Sequence, residues 1–349
     1  MSGKWPVSNV FVDFKYVLDN MDEDNVILVD TRSEEDYLKG HIPGAICLGE
    51  GKIDAAFVFG DDLIRTRPAE ELIKILGSKG ISPKSEIIIY GGKSDPHASV
   101  IYWILDVLSF PEIRFYNDGI DDAVNGGVEL ETGMHGMHTM PSVTFTATKN
   151  TELIATTDRV FENLTSKNAQ LVDSRSEGEN KGTDARALRG GKIPGAIHIH
   201  VQDNWVDAKS KELKPVEELK KLYSVLDPDR EIICYCYIGI RSTYNYIVLK
   251  ALGFKKIRNY DESWIIWGNR IDLPVENRSW FDSGSFKFLF KGMRMFDGVL
   301  GVIKEGMEKV ESKIDMKEIK EDMPDTVETS KKSEARRKVA EKPIRAAFC

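Results

Sequence analysis

ILVDTRSEEDYLKGHIPGAICL at residues 27–48 and QLVDSRSEGENKGTDARALRGGKIPGAIHI at residues 170–199 are two versions of one motif. Each opens on an apolar run ending in V-D-x-R-S and closes on I-P-G-A-I. Further on, SEIIIYGGKSDPHAS (85–99) aligns with REIICYCYIGIRST (230–243), and IRFYNDG (113–119) with IRNYDES (257–263). The offset is 143 residues at Asp30/Asp173, 151 at Pro43/Pro194 and 145 at Glu86/Glu231, so order is kept throughout. The second copy carries an insertion within 177–190. A period this long is not that of a solenoid. It marks a duplicated domain.

Working outward, ILVD, QLVD, EIIIY and EIICY are short continuous apolar runs, the pattern of strands buried on both faces of a parallel sheet. AEELIKILG (69–77) and VEELKKLYSVL (216–226) have helical spacing. VIYWILDVLSF and TYNYIVLKALGF also read as helices, the latter stopped near Gly253. Alternating strands and helices predict an α/β fold with a mainly parallel sheet flanked by helices, made twice. The predicted division is 1–140, 141–282 and an extension at 283–349. ETGMHGMHTMPSVTF, between the copies, reads as a linker, and WGNRIDLPVENRSW closes the second copy.

Composition bounds the function. The chain has 349 residues, 41% hydrophobic and 30% charged, enough for one or two cores. Its net charge of −8 argues against nucleic acid as a partner. The N-terminal MSGKWPVSNVFVDFKYVL lacks the apolar stretch of a signal peptide, and no apolar run is long enough to span a bilayer. Four cysteines (Cys47, Cys234, Cys236 and Cys349), with no C-x-x-C pair, suit neither a disulfide scaffold nor a zinc site. The expectation is a soluble, cytoplasmic protein with reduced thiols.

One stretch carries chemistry. Tyr235-Cys236-Tyr237-Ile238-Gly239-Ile240-Arg241-Ser242 lies between a predicted strand and a predicted helix. Such a loop gathers backbone amides at the positive end of the helix. A cysteine that begins it ionises more readily, and the thiolate is the nucleophile. Arg241 offers a planar donor fork for an anion. Gly239 lets the loop turn.

Taken together, the V-D-x-R, H/K-I-P-G-A and strand-Cys-loop-Arg-helix series, repeated in order over roughly residues 8–280, resembles the tandem rhodaneses, or sulfurtransferases. The resemblance implies an active second copy with Cys236 as nucleophile and an inactive first copy, where Gly91 stands in place of the cysteine. It implies a double displacement without metal or organic cofactor. The Cys236 thiolate takes the outer sulfur of a donor anion such as thiosulfate, and a thiophilic acceptor such as cyanide or a thiol removes it. Protein-tyrosine-type phosphatases share the series with five residues between Cys and Arg. Here there are four, a tighter ring that suits sulfur. Mercaptopyruvate enzymes typically carry Cys-Gly-Ser-Gly-Val-Thr, without the arginine. The loop is closer to the Cys-Arg-Ile-Gly-Glu-Arg-Ser of bacterial thiosulfate enzymes, with Tyr237 and Ile240 replacing charged residues. Sulfur transfer therefore ranks ahead of mercaptopyruvate and phosphatase chemistry. A sulfur-carrier or docking module delivering persulfide to a protein partner is the alternative.

Other residues have weaker assignments. The insertion, with Lys181, Arg186, Arg189 and Lys192, reads as a lid over the cysteine. The resemblance implies that Arg186 and Arg189 help bind the donor, against a reading as solvated surface charge. Glu179 falls where some relatives have a substrate arginine. Asp173 and Arg175, at a strand end, read as a buried pair supporting the loop, as Asp30 and Arg32 would in the first copy. Cys234, two residues before Cys236, reads as core ahead of a resolving thiol. Cys47 reads as packing, and Cys349 as an incidental exposed thiol. His135, His138, Met134, Met137 and Met140 could bind copper, but a Met-rich linker is the simpler reading.

The extension fits neither copy. Leu289, Met293, Phe296, Leu300, Ile303, Met307, Val310 and Ile314 form a heptad seam, with Gly292, Gly298, Gly301 and Gly306 against a helix. With Lys287, Lys291 and Arg294 it reads as a basic amphipathic helical segment, and residues 286–314 as a surface for a membrane or protein partner or for packing onto the domains. TVETSKKSEARRKVAEKPIR has the composition of a disordered tail.

Overall fold

A computed structural model describes residues 10–49, 66–133 and 141–281. The first half contains β1 (Phe11–Val12), α1 (Phe14–Asn20), β2 (Val26–Asp30), α2 (Glu34–Lys39), β3 (Ile46–Cys47), α3 (Ala69–Ser78), β4 (Glu86–Tyr90), α4 (Pro96–Val107), β5 (Ile113–Tyr116) and α5 (Gly119–Asn125). The second contains α6 (Thr157–Ser166), β6 (Ala169–Asp173), α7 (Glu177–Lys181), β7 (Arg189–Lys192), β8 (Ile197–His198), α8 (Val216–Tyr223), β9 (Glu231–Tyr235), α9 (Arg241–Ala251), β10 (Ile257–Asn259), α10 (Ser263–Trp267) and β11 (Glu276–Trp280).

The two halves repeat one topology. The first sheet runs β1-β5-β4-β2-β3 and the second β10-β9-β6-β8, every pair parallel. A parallel bridge from Ile154 to Asn259 stands in the second half where β1 stands in the first. The apolar runs behave as their pattern requires: four of five residues of β4 and of β9 are buried. The equivalent strands β4 and β9 lie inside their sheets, so the loops after them emerge between helices.

The halves also share one core. α4 and α9 pack together, and a single apolar cluster includes Ile101, Trp103 and Ile104 of the first half and Tyr244, Ile247 and Val248 of the second. Polar ties reinforce the seam. Ser99 Oγ meets Thr243 Oγ1 at 2.8 Å, Tyr244 OH donates to Asn117 Oδ1 at 2.7 Å, and Tyr246 OH donates to Asp106 at 2.6 Å, with Lys250 on the same carboxylate. The connecting segment is not loose where it is described: Val143 N–H donates to Gly77 O at 2.9 Å, and Phe145 meets Phe110 edge-on.

The antiparallel pair β7–β11 is new relative to the sequence pattern. The polar stretch ENRSW, read as a closing segment, pairs with the end of the insertion. The lid reading is thereby corrected in part, because strand pairing pins residues 189–192 to the body of the second half. Among the described residues no helix is long and apolar enough to cross a membrane. The Met/His cluster at 134–140, Cys349 and the extension with its amphipathic segment 286–314 lie outside the described residues.

Candidate active site

Cys236 follows β9 directly and is 1% exposed. Its N–H donates to Ser263 Oγ (3.1 Å), and Ser263 Oγ donates in turn to Tyr260 O (2.6 Å). Most carbonyls of the loop are engaged. Cys236 O and Tyr237 O accept from the amides of Trp264 and Ile265, Gly239 O accepts from Asn259 Nδ2, and Ile240 O accepts from Thr243 Oγ1. Asn259 is itself set by Ser242 Oγ, which donates to its Oδ1 at 2.6 Å. By contrast, the amides from Tyr237 to Ser242 have no hydrogen-bond partner among the described residues. Carbonyls tied to the frame and amides left open make an anion cup at the start of an eleven-residue helix.

Two residues explain why the cup stays open. Gly239 has φ +79°, and a Cβ there would lie 2.6 Å from Asp261 O, so only glycine fits. Ile240 occupies the N-cap of α9 and makes no side-chain cap, which leaves the helix amides uncovered. The first half shows the contrast. The Asp95 carboxylate caps α4, accepting from His97 N–H at 2.9 Å, and Pro96 removes a further amide. At Gly91 a Cβ would lie 2.7 Å from Asp95 Oδ2, so the equivalent place is filled as well as lacking a thiol.

Arg241 does not stand alone. Its Nη1 and Nη2 donate to Glu179 Oε2 and Oε1 at 2.7 and 2.9 Å, and Glu179 is 1% exposed. The reading of Arg241 as a free donor fork for an anion is corrected: its fork is occupied. Glu179 also closes the N-terminal turn of α7, through a capping box with Ser176. Burial pushes the Glu179 carboxyl upward, but the hydrogen bonds and charge of Arg241, with Arg186 and Arg175 beyond, hold it at about 2. Its folded value lies below its unfolded one, so the stability it confers is complete above about pH 4.5 and is lost as pH falls toward 2. Denaturant midpoints measured between pH 5 and pH 2.5 are expected to fall, and to fall less steeply in Glu179→Gln. Equal slopes would contradict this.

The remaining candidates divide. Arg186 is half exposed, donates to Asp184 at 3.0 Å and lies 4.0 Å from Glu179. Its carbonyl accepts from Tyr237 OH at 2.8 Å, which ties the insertion to the loop. Arg189 is not a donor-binding residue. It is 2% exposed and spends its guanidinium on the carbonyls of Leu273 (2.7 Å), Trp267 (2.9 Å), Gly268 and Arg270. Burial, aided by Arg278, lowers it to about 10. Lys192 is held by Ala196 O and Glu276, and Lys181 by Glu177.

Beneath the loop, Asp173 and Arg175 form a buried bidentate pair at 2.9 and 2.6 Å. Asp173 also accepts from Tyr235 OH and Asn180 Nδ2, and the Arg175 guanidinium lies 4.2 Å from the Trp264 ring. Asp30 and Arg32 repeat the pair in the first half. Cys234 is fully buried on β9, and burial, then Cys236, push its thiol far above the ordinary range. Cys47, on β3, is pushed up to about 11 by burial. Sequence reasoning missed Asn259 and Ser263, because neither carries a motif of its own. The available signal was their place in the repeated segment IRNYDES, where Asn259 ends β10, the strand beside β9, and Ser263 begins α10.

Residues 13–125 and 156–270 each match the family model described as rhodanese-like domain. Thiosulfate sulfurtransferase of Corynebacterium glutamicum is 32% identical over 262 residues, 70% of this chain and 83% of that protein. The sulfur carrier protein TtuD of Thermus thermophilus is 31% identical over 290 residues, 76% of this chain and 96% of that protein. A solved structure of the anaerobic ergothioneine biosynthesis enzyme from Chlorobium limicola shares the fold at TM-score 0.68 and 21% identity, covering 77% of this chain and 70% of that one.

Proposed function

The chain belongs to the rhodanese family, in tandem form, and from that premise we propose that it is a sulfurtransferase working through a persulfide on Cys236. The observation that carries this reading is the run of unpartnered amides around Cys236 at the start of α9. The thiolate attacks the outer sulfur of thiosulfate or a related donor. The S–S bond of the donor breaks, sulfite leaves with the electron pair, and Cys236 becomes Cys–S–S⁻. A thiophilic acceptor, cyanide or a thiol, attacks the terminal sulfur and restores the thiolate. The attacking thiolate and the persulfide formed here are both anions, and the amides and helix dipole favour both. Tyr237, Ile238, Gly239, Ile240 and Ser242 shape the cup. Asp173 and Arg175 hold it from below, and Arg186 borders it. We place the protein in the cytoplasm, a reducing setting suited to the free thiols Cys47, Cys234 and Cys236.

The likeness to a sulfur carrier favours a second reading, in which the persulfide is passed to a protein partner. Intact-mass measurement after thiosulfate treatment, with cyanide turnover alongside, tests both. The expected result is a gain of one sulfur, about 32 Da, removed by cyanide with continuous turnover. Persulfide without turnover supports the carrier, and absence of the adduct overturns the proposal.

A further inference from the structure

The charges around the loop cancel in pairs. Asp173 offsets Arg175, and Glu179 offsets Arg241, all four groups being deep in the protein except the partly exposed Arg241. Arg186 is half exposed and already beside Asp184. His200, half-buried nearby, is held below its ordinary value by burial and so adds no cation near neutral pH. Lys192 is turned to Ala196 O and Glu276. Among the described residues, then, the cup offers amides but no uncompensated buried cation. Amides suit one negative charge at the reacting sulfur. A dianion brings a second, which the Glu179 carboxylate repels and which Arg241, already bidentate, does not meet.

Building on the reading of Cys236 as the persulfide-forming thiol, we propose that Glu179 sets donor selectivity by withholding Arg241, so that a hydropersulfide donor R–S–SH is preferred to the dianion thiosulfate. In that reaction the Cys236 thiolate attacks the terminal sulfur, the S–S bond of R–S–SH breaks, and R–S⁻ leaves with the electron pair. Cys236 is left as Cys–S–SH. No oxidant or reductant is consumed. Glu179 acts through Arg241 and is a positioning residue. Nothing in its capping role alone would change one donor relative to another.

The experiment uses the full chain with two donors, thiosulfate and glutathione persulfide, and the same acceptor. Wild type is expected to show kcat/KM at least about tenfold higher for the persulfide. In Glu179→Gln, where the amide can still cap α7 but no longer neutralises Arg241, that preference is expected to shrink by about tenfold, through a lower KM for thiosulfate. Glu179→Asp, which keeps the charge, is expected to keep the preference. A wild type that prefers thiosulfate overturns the proposal even if the variants cannot be purified. So does a donor ratio that Glu179→Gln leaves in place. A protein that forms no persulfide on Cys236 with either donor fails at the underlying reading, whereas persulfide formation with an unmoved ratio fails here alone.

Discussion

Cys236→Ser is expected to remove sulfur transfer by at least about a thousandfold and to abolish the one-sulfur mass gain, while leaving the fold in place. The chemistry has no substitute for the thiolate. A serine hydroxyl at neutral pH is neutral, and it cannot form the S–S bond that stores the cargo. Nor can Cys234 take over: it is fully buried, and its thiol is held far above the ordinary range by burial and by Cys236 itself. The structural cost is small, because serine differs at one buried atom and the fixed contacts of Cys236 are made by its backbone N–H and carbonyl. A melting temperature within about 3 °C of wild type should accompany the loss. Residual turnover above one part in a hundred, or an adduct persisting in the variant, would refute the assignment.

The second large effect is on stability. Arg175→Ala is expected to cost about 3–5 kcal/mol, because it strands the Asp173 carboxylate in the interior. Asp173 is fully buried, and Tyr235 and Asn180 donate to it but bring no charge. The same change opens a gap against Trp264 and removes the donor to Gly191 O. At roughly 2–4 °C per kcal/mol, the melting temperature should fall by about 10 °C. Asp173→Asn strands the Arg175 cation instead but should be milder, since Arg175 keeps Gly191 O, the face of Trp264 and the charge of Glu179. An Arg175→Ala loss below about 1 kcal/mol would show that water reaches the pair.

The duplication and the strand–cysteine–loop–helix unit were legible because they depend on order along the chain. V-D-x-R-S and the apolar run before Cys236 encode local structure, and the structure builds from them. What escaped depends on distance in sequence. Glu179 and Arg241 are 62 residues apart, and no local pattern says that one occupies the other. Arg189 looked like a donor-binding residue because sequence reports charge but not a cage of carbonyls. ENRSW lacks the alternation of a strand, since one partner strand is enough to hold it. One clue was available and unused. VIYWILDV and TYNYIVL are apolar around most of the helix, which marks helices covered on all sides.

That covering has a consequence for how the chain can change over time. A second copy of a domain is ordinarily free to decay or be deleted. Here α4 is the wall against which α9 folds, and Ser99 and Asp106 complete the hydrogen bonding of Thr243, Tyr246 and Lys250. Deleting the first half would expose Ile247, Val248 and their neighbours to water. The duplication therefore works as a ratchet: with one core between them, losing either half leaves the other with an apolar face in water.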